Sequence, residues 1–445
     1  MIEATIILSL VWVTGALAQG DSQDADLRKR LEEAEKRIGE LEKRKQTESG
    51  LKVEFKDGLK VKSEDGNFNA HVGGRLLTHY RFVQDRPEGA GTRSSPDTFF
   101  VRQARLEMSG DFYKDYEFKV QIDFPTGATS STTGTLTDGY LGWKKYPELS
   151  LRIGQFKEPF SQEETTSTRF IDFVERSVVN RLVPARDIGL MIHGRLFEKI
   201  LEYEAALYNG QGRAVLDGND EKDAALRLRV TPFVSSENAV LKNLRVGVAG
   251  TIGDFDSSSI SGLDLTTTEL GITFLDATTG SIDGRRTRLG VELSWLCGPF
   301  GVRGEWLRRS TEVDIGANED EEIDAEGWYL AATWLLSGED KPLENRVVPA
   351  HPLDLGAGHW GAFELAFRIA AMEVDEDIFD LGIAPAAANS NEVQTLTFGV
   401  NWYLTRNFRV SPNVILERFD DDIDFGNGRT EDSAWGALVR FQIDF

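Results

Sequence analysis

The chain closes on WGALVRFQIDF, in which Trp435, Ala437, Val439, Phe441, Ile443 and Phe445 alternate with Gly436, Leu438, Arg440, Gln442 and Asp444. A period of two predicts a strand that turns one face to an apolar medium and the other to water. A sandwich, a soluble barrel or a membrane barrel would each accept such a strand. The design recurs upstream. YEFKVQIDF sets Tyr116, Phe118, Val120, Ile122 and Phe124 against Glu117, Lys119, Gln121 and Asp123, and IGLMIHGRLF, LRLRV, RRTRLGVELSW, GWYLAATWLL and TLTFGVNWYL repeat it. Trp295, Trp328, Trp334, Trp402 and Trp435 all fall on the apolar face, where an interfacial aromatic belt needs them.

The connections alternate as well. Tight ones (YKDY, KKYPE, FEK, CGPFG, TRN) are interleaved with long polar ones at 125–135, 209–223, 311–325, 375–391 and 420–432. Short turns on one rim and long loops on the other are the signature of a membrane barrel, and a water-soluble sandwich has no reason for them. No apolar run beyond the N-terminus is long enough for a spanning helix of about 20 residues. A membrane-crossing form must therefore be a closed barrel, since only helices and barrels satisfy every backbone group in lipid. At roughly 25 residues per strand and connection, residues 50–445 hold about 16 strands; alternation alone identifies about a dozen of them.

The N-terminal residues follow other rules. MIEATIILSLVWVTGALAQG carries an apolar run and the small-x-small pattern Ala16-Leu17-Ala18, which reads as a signal peptide over 1–18, although its first residues hold Glu3 and no Lys or Arg. Residues 19–49 form a charged segment in which Leu27, Leu31, Ala34, Ile38 and Leu41 are spaced four, three, four, three. Those are seam positions of a short coiled coil, with a solvated amphipathic helix as the alternative. The expected fold class is thus all-β: a transmembrane antiparallel β-barrel of about 16 strands over 50–445 behind a short N-terminal coiled-coil helix.

Charge changes the picture. With 73 acidic and 50 basic residues the net charge is -23, which argues against nucleic acid as a partner. Cys297 is the single cysteine, so no intramolecular disulfide forms. Yet the positions opposite the apolar face carry Arg75, Arg105, Lys119, Arg152, Arg195, Arg227, Arg229 and further arginines. The total is about sixteen basic against ten acidic side chains, so an acidic chain lines its interior with positive charge. The acidic surplus sits in ANEDEEID, EVDEDIFD and RFDDDID, within the long connections. Arginine suits an anion path because its guanidinium stays charged and grips phosphate or carboxylate with two parallel hydrogen bonds. The bland alternative is that these arginines pair with neighbouring carboxylates and only satisfy the wall.

Between strands near Leu149–Ile153 and Ile188 lie more than thirty residues without alternation, GQFKEPFSQEETTSTRFIDFVERSVVNRLVPARD. An excursion of that length is usually functional. Phe156, Phe160, Phe170, Phe173 and Val174 need something to pack against, which favours folding into the barrel over a surface loop.

With these residues in view the chain resembles the phosphate-selective porin O/P family of Gram-negative outer membranes, from about Lys52 to Phe445. The resemblance is carried by DGNFNAHVGGRL, RLEMSGDFYKDYEFKVQIDF, LRIGQFKEPFSQEETTSTRFIDFVERS, LVPARDIGLMIHG, EWLRRS and FGVNWYLTRNFRVSPN in that order. It implies a 16-stranded barrel in the outer membrane, a homotrimer, an inward third loop and passage of small inorganic anions. It implies neither a cofactor nor a metal. Residue by residue, Arg75 in GGR matches the lumen arginine near the anion site and Arg176 in VERS matches the loop arginine. Arg102 in FVRQAR matches the first of a pair whose second member is replaced here by Gln103. That replacement leaves a broader anion, pyrophosphate or general small-solute preference open. Strict alternation puts Arg102 and Arg105 on opposite sides, so either a bulge intervenes or Arg105 does the work. Lys157 and Arg169, within the excursion, complete the candidate anion-binding set.

Two rivals remain. A barrel enzyme would need a nucleophile and base held together, but His71, His79, His193, His351 and His359 show no motif spacing and no G-x-S-x-G occurs. An envelope tether would use the helix as a stalk and need no lumen arginines. The helix is expected on the periplasmic side, supporting assembly.

Overall fold

The computed structural model of the chain describes residues 28–40, 50–84, 97–126, 134–215, 217–218, 220–316, 320–426 and 429–445. Residues 28–40 are helical, with Leu31 and Ile38 of the apolar stripe exposed. The signal-peptide segment 1–18, the rest of 19–27 and residues 41–49, with Leu27 and Leu41, lie outside the described residues.

From Leu51 the chain is strand after strand. They are β1 (Leu51–Phe55), β2 (Leu59–Ser63), β3 (Phe68–Val83), β4 (Thr98–Phe112), β5 (Tyr116–Asp123), β6 (Thr135–Tyr146), β7 (Leu149–Lys157), β8 (Arg186–Leu196), β9 (Leu201–Tyr208) and β10 (Asp223–Val230). They continue as β11 (Arg245–Asp254), β12 (Leu265–Thr266), β13 (Thr273–Leu275), β14 (Ser281–Cys297), β15 (Phe300–Asp314), β16 (Asp320–Leu335), β17 (Ala362–Val374), β18 (Glu392–Tyr403), β19 (Phe408–Gly426) and β20 (Arg429–Asp444). Strands β3 to β11 and β14 to β20 each pair antiparallel with the next, and β20 returns to β3 through pairs such as Arg440↔His79 and Asp444↔Arg75. The result is a closed barrel of 16 strands. No helix among the described residues is long and apolar enough to cross a membrane.

Sidedness follows from exposure. Val291 and Phe441 are 46% and 42% exposed on the outer face, whereas Arg440, one residue away, is 1% exposed inside. The period of two therefore points its apolar set outward and its charges into the interior, the inverse of a water-soluble core. Trp328, Trp334 and Trp435 are exposed on that outer face.

The interior is not an empty tube. From the rim opposite the chain's end, segments 158–185, 255–280 and 375–391 turn inward and share one apolar cluster with the wall. Phe160, Phe173, Val174 and Leu182 of the first meet Ile260, Leu270 and Phe274 of the second, Ile378 and Ile383 of the third, and Leu307, Ile415 and Phe419 of the wall. The aromatic residues of 158–185 thus find the packing their burial requires. Gly290 makes room for the first segment: a Cβ there would stand 3.0 Å from Leu307 and 3.3 Å from Phe160.

Two expected long loops prove to be hairpins. β15 and β16 pair from Phe300↔Trp334 up to Asp314↔Asp320, and β19 and β20 extend to Gly426 and Arg429. Val313, Ile323, Ile423 and Phe425 of these extensions are buried inward, an alternation hidden in the sequence by the acidic residues between them. A second departure concerns the rim where the chain ends, which carries short turns but also connections 231–244 and 336–361. The latter lies across the mouth: Lys341 bonds Asp172 (2.6 Å) and Glu364, Glu344 approaches Arg245 (3.6 Å), and Arg346 reaches Asp57 (2.8 Å) and Asp444.

Candidate functional site

The inward segment 158–185 is held by groups projecting from the wall, because its backbone has no ladder partner and every buried carbonyl needs a donor. Arg440 donates to Thr168 O (3.0 Å) and Val174 O, Arg409 to Ile171 O (3.0 Å), and Asn401 to Asp172 O (2.8 Å). Asn413 accepts from Val174 N (2.7 Å), and Gln162 donates to Leu293 O and Gly304 O on the far wall. Locally, Ser161 caps the short helix Gln162–Thr165 by accepting from Glu164 N. Arg176 folds back to donate to Glu163 O, Glu164 O and Thr166 O. Several lumen arginines are therefore structural staples.

Between this segment and the wall of β3 to β8 lies a recess of about 150 Å³, partly open to solvent. Arg75, Arg105, Lys119, Lys157, Arg169, Arg176 and Arg186 line it, against the carboxylates of Glu107 and Asp138. Gln103, Gln121, Ser167 and Thr168 add neutral donors and acceptors. The internal pairing is uneven. Asp138 accepts from Arg186 (2.7 Å) and Lys119 (2.9 Å), Glu107 from Arg169 (2.8 Å), and Asp123 pairs with Arg105 (2.8 Å). Arg75 is different. It is 6% exposed, and among the described residues its guanidinium is bonded only to neutral groups, Gln103 Oε1 and Ser167 Oγ, each at 3.1 Å. A buried guanidinium without a carboxylate is a standing demand for an anion.

Six of the eleven candidate residues, Arg75, Arg105, Lys119, Lys157, Arg169 and Arg176, converge on this recess. The other five do not. A register shift between Leu77 and Thr78 leaves Arg102 as an extra residue on β4, and this bulge resolves the conflict of parity. Arg102 then forms a two-point contact with Glu175 (2.7 and 3.3 Å) beside the recess. Arg152 lies over the Tyr140 ring (4.3 Å) and pairs with Glu117 (3.1 Å). Arg227 is bonded to Glu292 (2.6 Å) and to Thr165, while Arg229 pairs with Glu202 (3.1 Å). Arg195 pairs with Glu202 (2.9 Å) near the end of β8, its side chain 58% exposed.

Sequence reasoning missed Arg186. Counting by twos from Leu190 and Ile192 puts it on the outer face, but Arg186 and Lys157, its partner on β7, both line the recess. The loop hydroxyls of Ser167 and Thr168 carried no signal beyond their place in the excursion. Among the described residues no group of three or more His, Cys, Asp or Glu is arranged to hold a metal.

Comparison with known proteins agrees with this architecture. A family model described as phosphate-selective porin O and P matches residues 72–445. Porin O of Pseudomonas aeruginosa is 24% identical over 421 residues, covering 88% of this chain and 92% of that protein. Among solved structures, the outer membrane channel DcaP of Acinetobacter baumannii superposes with a TM-score of 0.53 at 12% identity, over 86% of this chain and 99% of that one. OprB of Pseudomonas putida gives 0.53 at 10% identity, over 86% and 95%. At such identities the structural matches speak for the fold alone.

Proposed function

Since the chain belongs to the phosphate-selective porin O and P family, an outer-membrane channel family, we propose that this barrel passes small inorganic anions, phosphate among them, in preference to cations. The observation that carries the reading is the recess at Arg75, where seven cationic side chains meet Glu107 and Asp138 on the lining, with Asp123 and Glu164 paired to three of the cations from behind. An anion entering it exchanges water for guanidinium, ammonium and hydroxyl donors, and the crowd of cations lets it be handed on instead of trapped. Arg75 is the anchor, Ser167 and Thr168 add neutral donors, and Arg105, Lys119, Arg169 and Arg186 set the field while keeping their carboxylate partners.

Gln103 stands where the family pattern has a second arginine and favours a second reading: a general small-solute porin with modest phosphate preference. The two separate in one experiment, inorganic phosphate or pyrophosphate added to the purified protein carrying chloride current in a planar bilayer. Saturable block at low phosphate supports the selective channel; block only at concentrations comparable to chloride supports the general one. A homotrimer with helix 28–40 on the periplasmic side completes the proposal, supported by the exposed stripe of Leu31 and Ile38.

A further inference from the structure

Past Val347, which is buried beside Leu335, Ala362 and Tyr403, the connection 336–361 leaves the mouth and turns over the rim to the outer face of the wall. Leu353 N donates to Leu404 O (2.7 Å), and the indole Nε1 of Trp402 donates to Trp360 O (2.7 Å). Trp402 shares its parity with the outward Leu396 and Phe398, and its ring stacks on that of Phe363 (5.7 Å). Residues 353–360 therefore sit against the lipid-facing side of β17 and β18. There Leu355 is 67% exposed and Trp360 59%, more than Trp334 and Leu336 of the neighbouring band at 46% and 47%.

The segment is a closed bracket. Asp354 N donates to His359 O (3.0 Å), His359 N to Asp354 O (2.9 Å), and inside the turn Ala357 N donates to Asp354 O (3.2 Å). The His351 and His359 rings stack at 4.6 Å and hold its two legs together. Gly361 at φ +77 presses it on the wall, where a Cβ would stand 2.2 Å from Tyr403 O. Asp354 is its only residue charged at neutral pH. Water disfavours a leucine and an indole presented so openly on one short turn. Hydrocarbon is excluded too, because an irregular turn leaves backbone groups that need water or headgroups. The headgroup layer meets both demands and is where indoles collect. The outer wall leads up to it through the stacked pairs Phe300–Trp334 and Phe363–Trp402, each at 5.7 Å, so this apolar surface continues the lipid-facing band.

We propose that residues 353–360 are a lipid anchor. Leu355 and Trp360 insert among phospholipid headgroups at the rim where the chain ends, and they tether from outside the same connection whose Lys341, Glu344 and Arg346 span the mouth. This goes beyond the channel reading and does not depend on which ion the pore prefers. The test uses the full chain with Cys297→Ser in vesicles of phosphatidylethanolamine and phosphatidylglycerol. A nitroxide is attached at Leu355→Cys and, for reference, at Asp340→Cys, an exposed position in the same connection, and at Leu336→Cys in the band. Power-saturation EPR compares collisions with oxygen, which enters lipid, and with a water-soluble nickel chelate. The Leu355 label is expected to favour oxygen severalfold more than the Asp340 label and to approach the Leu336 label. Equal ratios at Leu355 and Asp340 overturn the proposal. A Leu355 label shielded from both reagents also overturns it, since protein would then cover the turn. Independently, Trp360→Phe keeps the backbone carbonyl that Trp402 uses. The indole emission lost on that substitution is expected to be the part quenched by lipids brominated near the headgroups, and emission indifferent to bromination overturns the proposal. Neither readout senses ion preference, so a pore without anion selectivity leaves both unchanged.

Discussion

Arg75 and Arg105 stand directly opposite one another on β3 and β4, yet of the two only Arg105 is ion-paired, with Asp123 at 2.8 Å. Like charges directly opposite on neighbouring strands are unfavourable, so one of the pair gains from an anion supplied from outside. Replacing Arg75 with Ala is expected to weaken phosphate block by about 10- to 100-fold, since a hydrogen bond to a charged group is worth about 1.5–3 kcal/mol. Fold and conductance in chloride should change little. Titration of phosphate against single-channel current checks this, and an unchanged block constant would remove Arg75 from the site.

Arg440 has a different task. It is 1% exposed and holds Thr168 O and Val174 O, with its Nε toward His79 Nε2 at 3.0 Å. Arg440→Met strips donors from two buried carbonyls, at about 1–3 kcal/mol each. The inward segment should loosen, giving a less heat-stable barrel, larger and noisier conductance and weaker selectivity. That combination separates a staple from an anion anchor, because Arg75→Ala should affect selectivity without the noise.

The connection 336–361 should act as a bar across the mouth. Lys341 is buried between Asp172 and Glu364, so Lys341→Met leaves buried Glu364 without its cation and Asp172 with Arg303 alone at 3.4 Å, a loss of about 3–5 kcal/mol. We expect a lower unfolding temperature together with increased conductance. Unfolding unchanged within error would mean that water already serves those carboxylates.

Asp57, in the turn of the β1–β2 hairpin, gives a pH dependence. The Arg406 guanidinium bonded to Asp57, with Arg346 nearby, holds that carboxyl below its ordinary value of 3.8. A carboxyl depressed in the folded state contributes stability above its unfolded value and loses it as pH falls through the folded one. Asp57→Asn should therefore loosen the hairpin at neutral pH, read as faster proteolysis within 50–66. The difference from the unsubstituted protein should shrink below pH 3.8 and vanish once Asp57 is protonated in both states.

The strands were legible because lipid on one side and water on the other impose a period of two that survives even at the chain's last residue, Phe445. Alternation failed where that two-sided contrast ends. The acidic hairpin tips of β15–β16 and β19–β20 stand beyond the apolar band, so only their buried Val313, Ile323, Ile423 and Phe425 keep the pattern. Arg186 escaped because its parity matches the outward Leu190 although it lines the recess beside Asp138. The bar at 336–361 had no period, and its charges read as an ordinary polar turn. Among the lumen arginines, parity shows which side a guanidinium takes but not whether it meets a carboxylate, a carbonyl or open space. Arg227, buried on Glu292, and Arg75, free of carboxylates among its described bonding partners, have the same sequence signature.

The reversal potential of the purified channel in a KCl gradient is the decisive quantity. An interior whose recess sets seven cations against four carboxylates, with Arg75 outside every ion pair, should drive it toward the chloride equilibrium value, and Arg75→Ala should move it back. A potential on the potassium side for the unsubstituted channel would contradict the reading of the recess as an anion site.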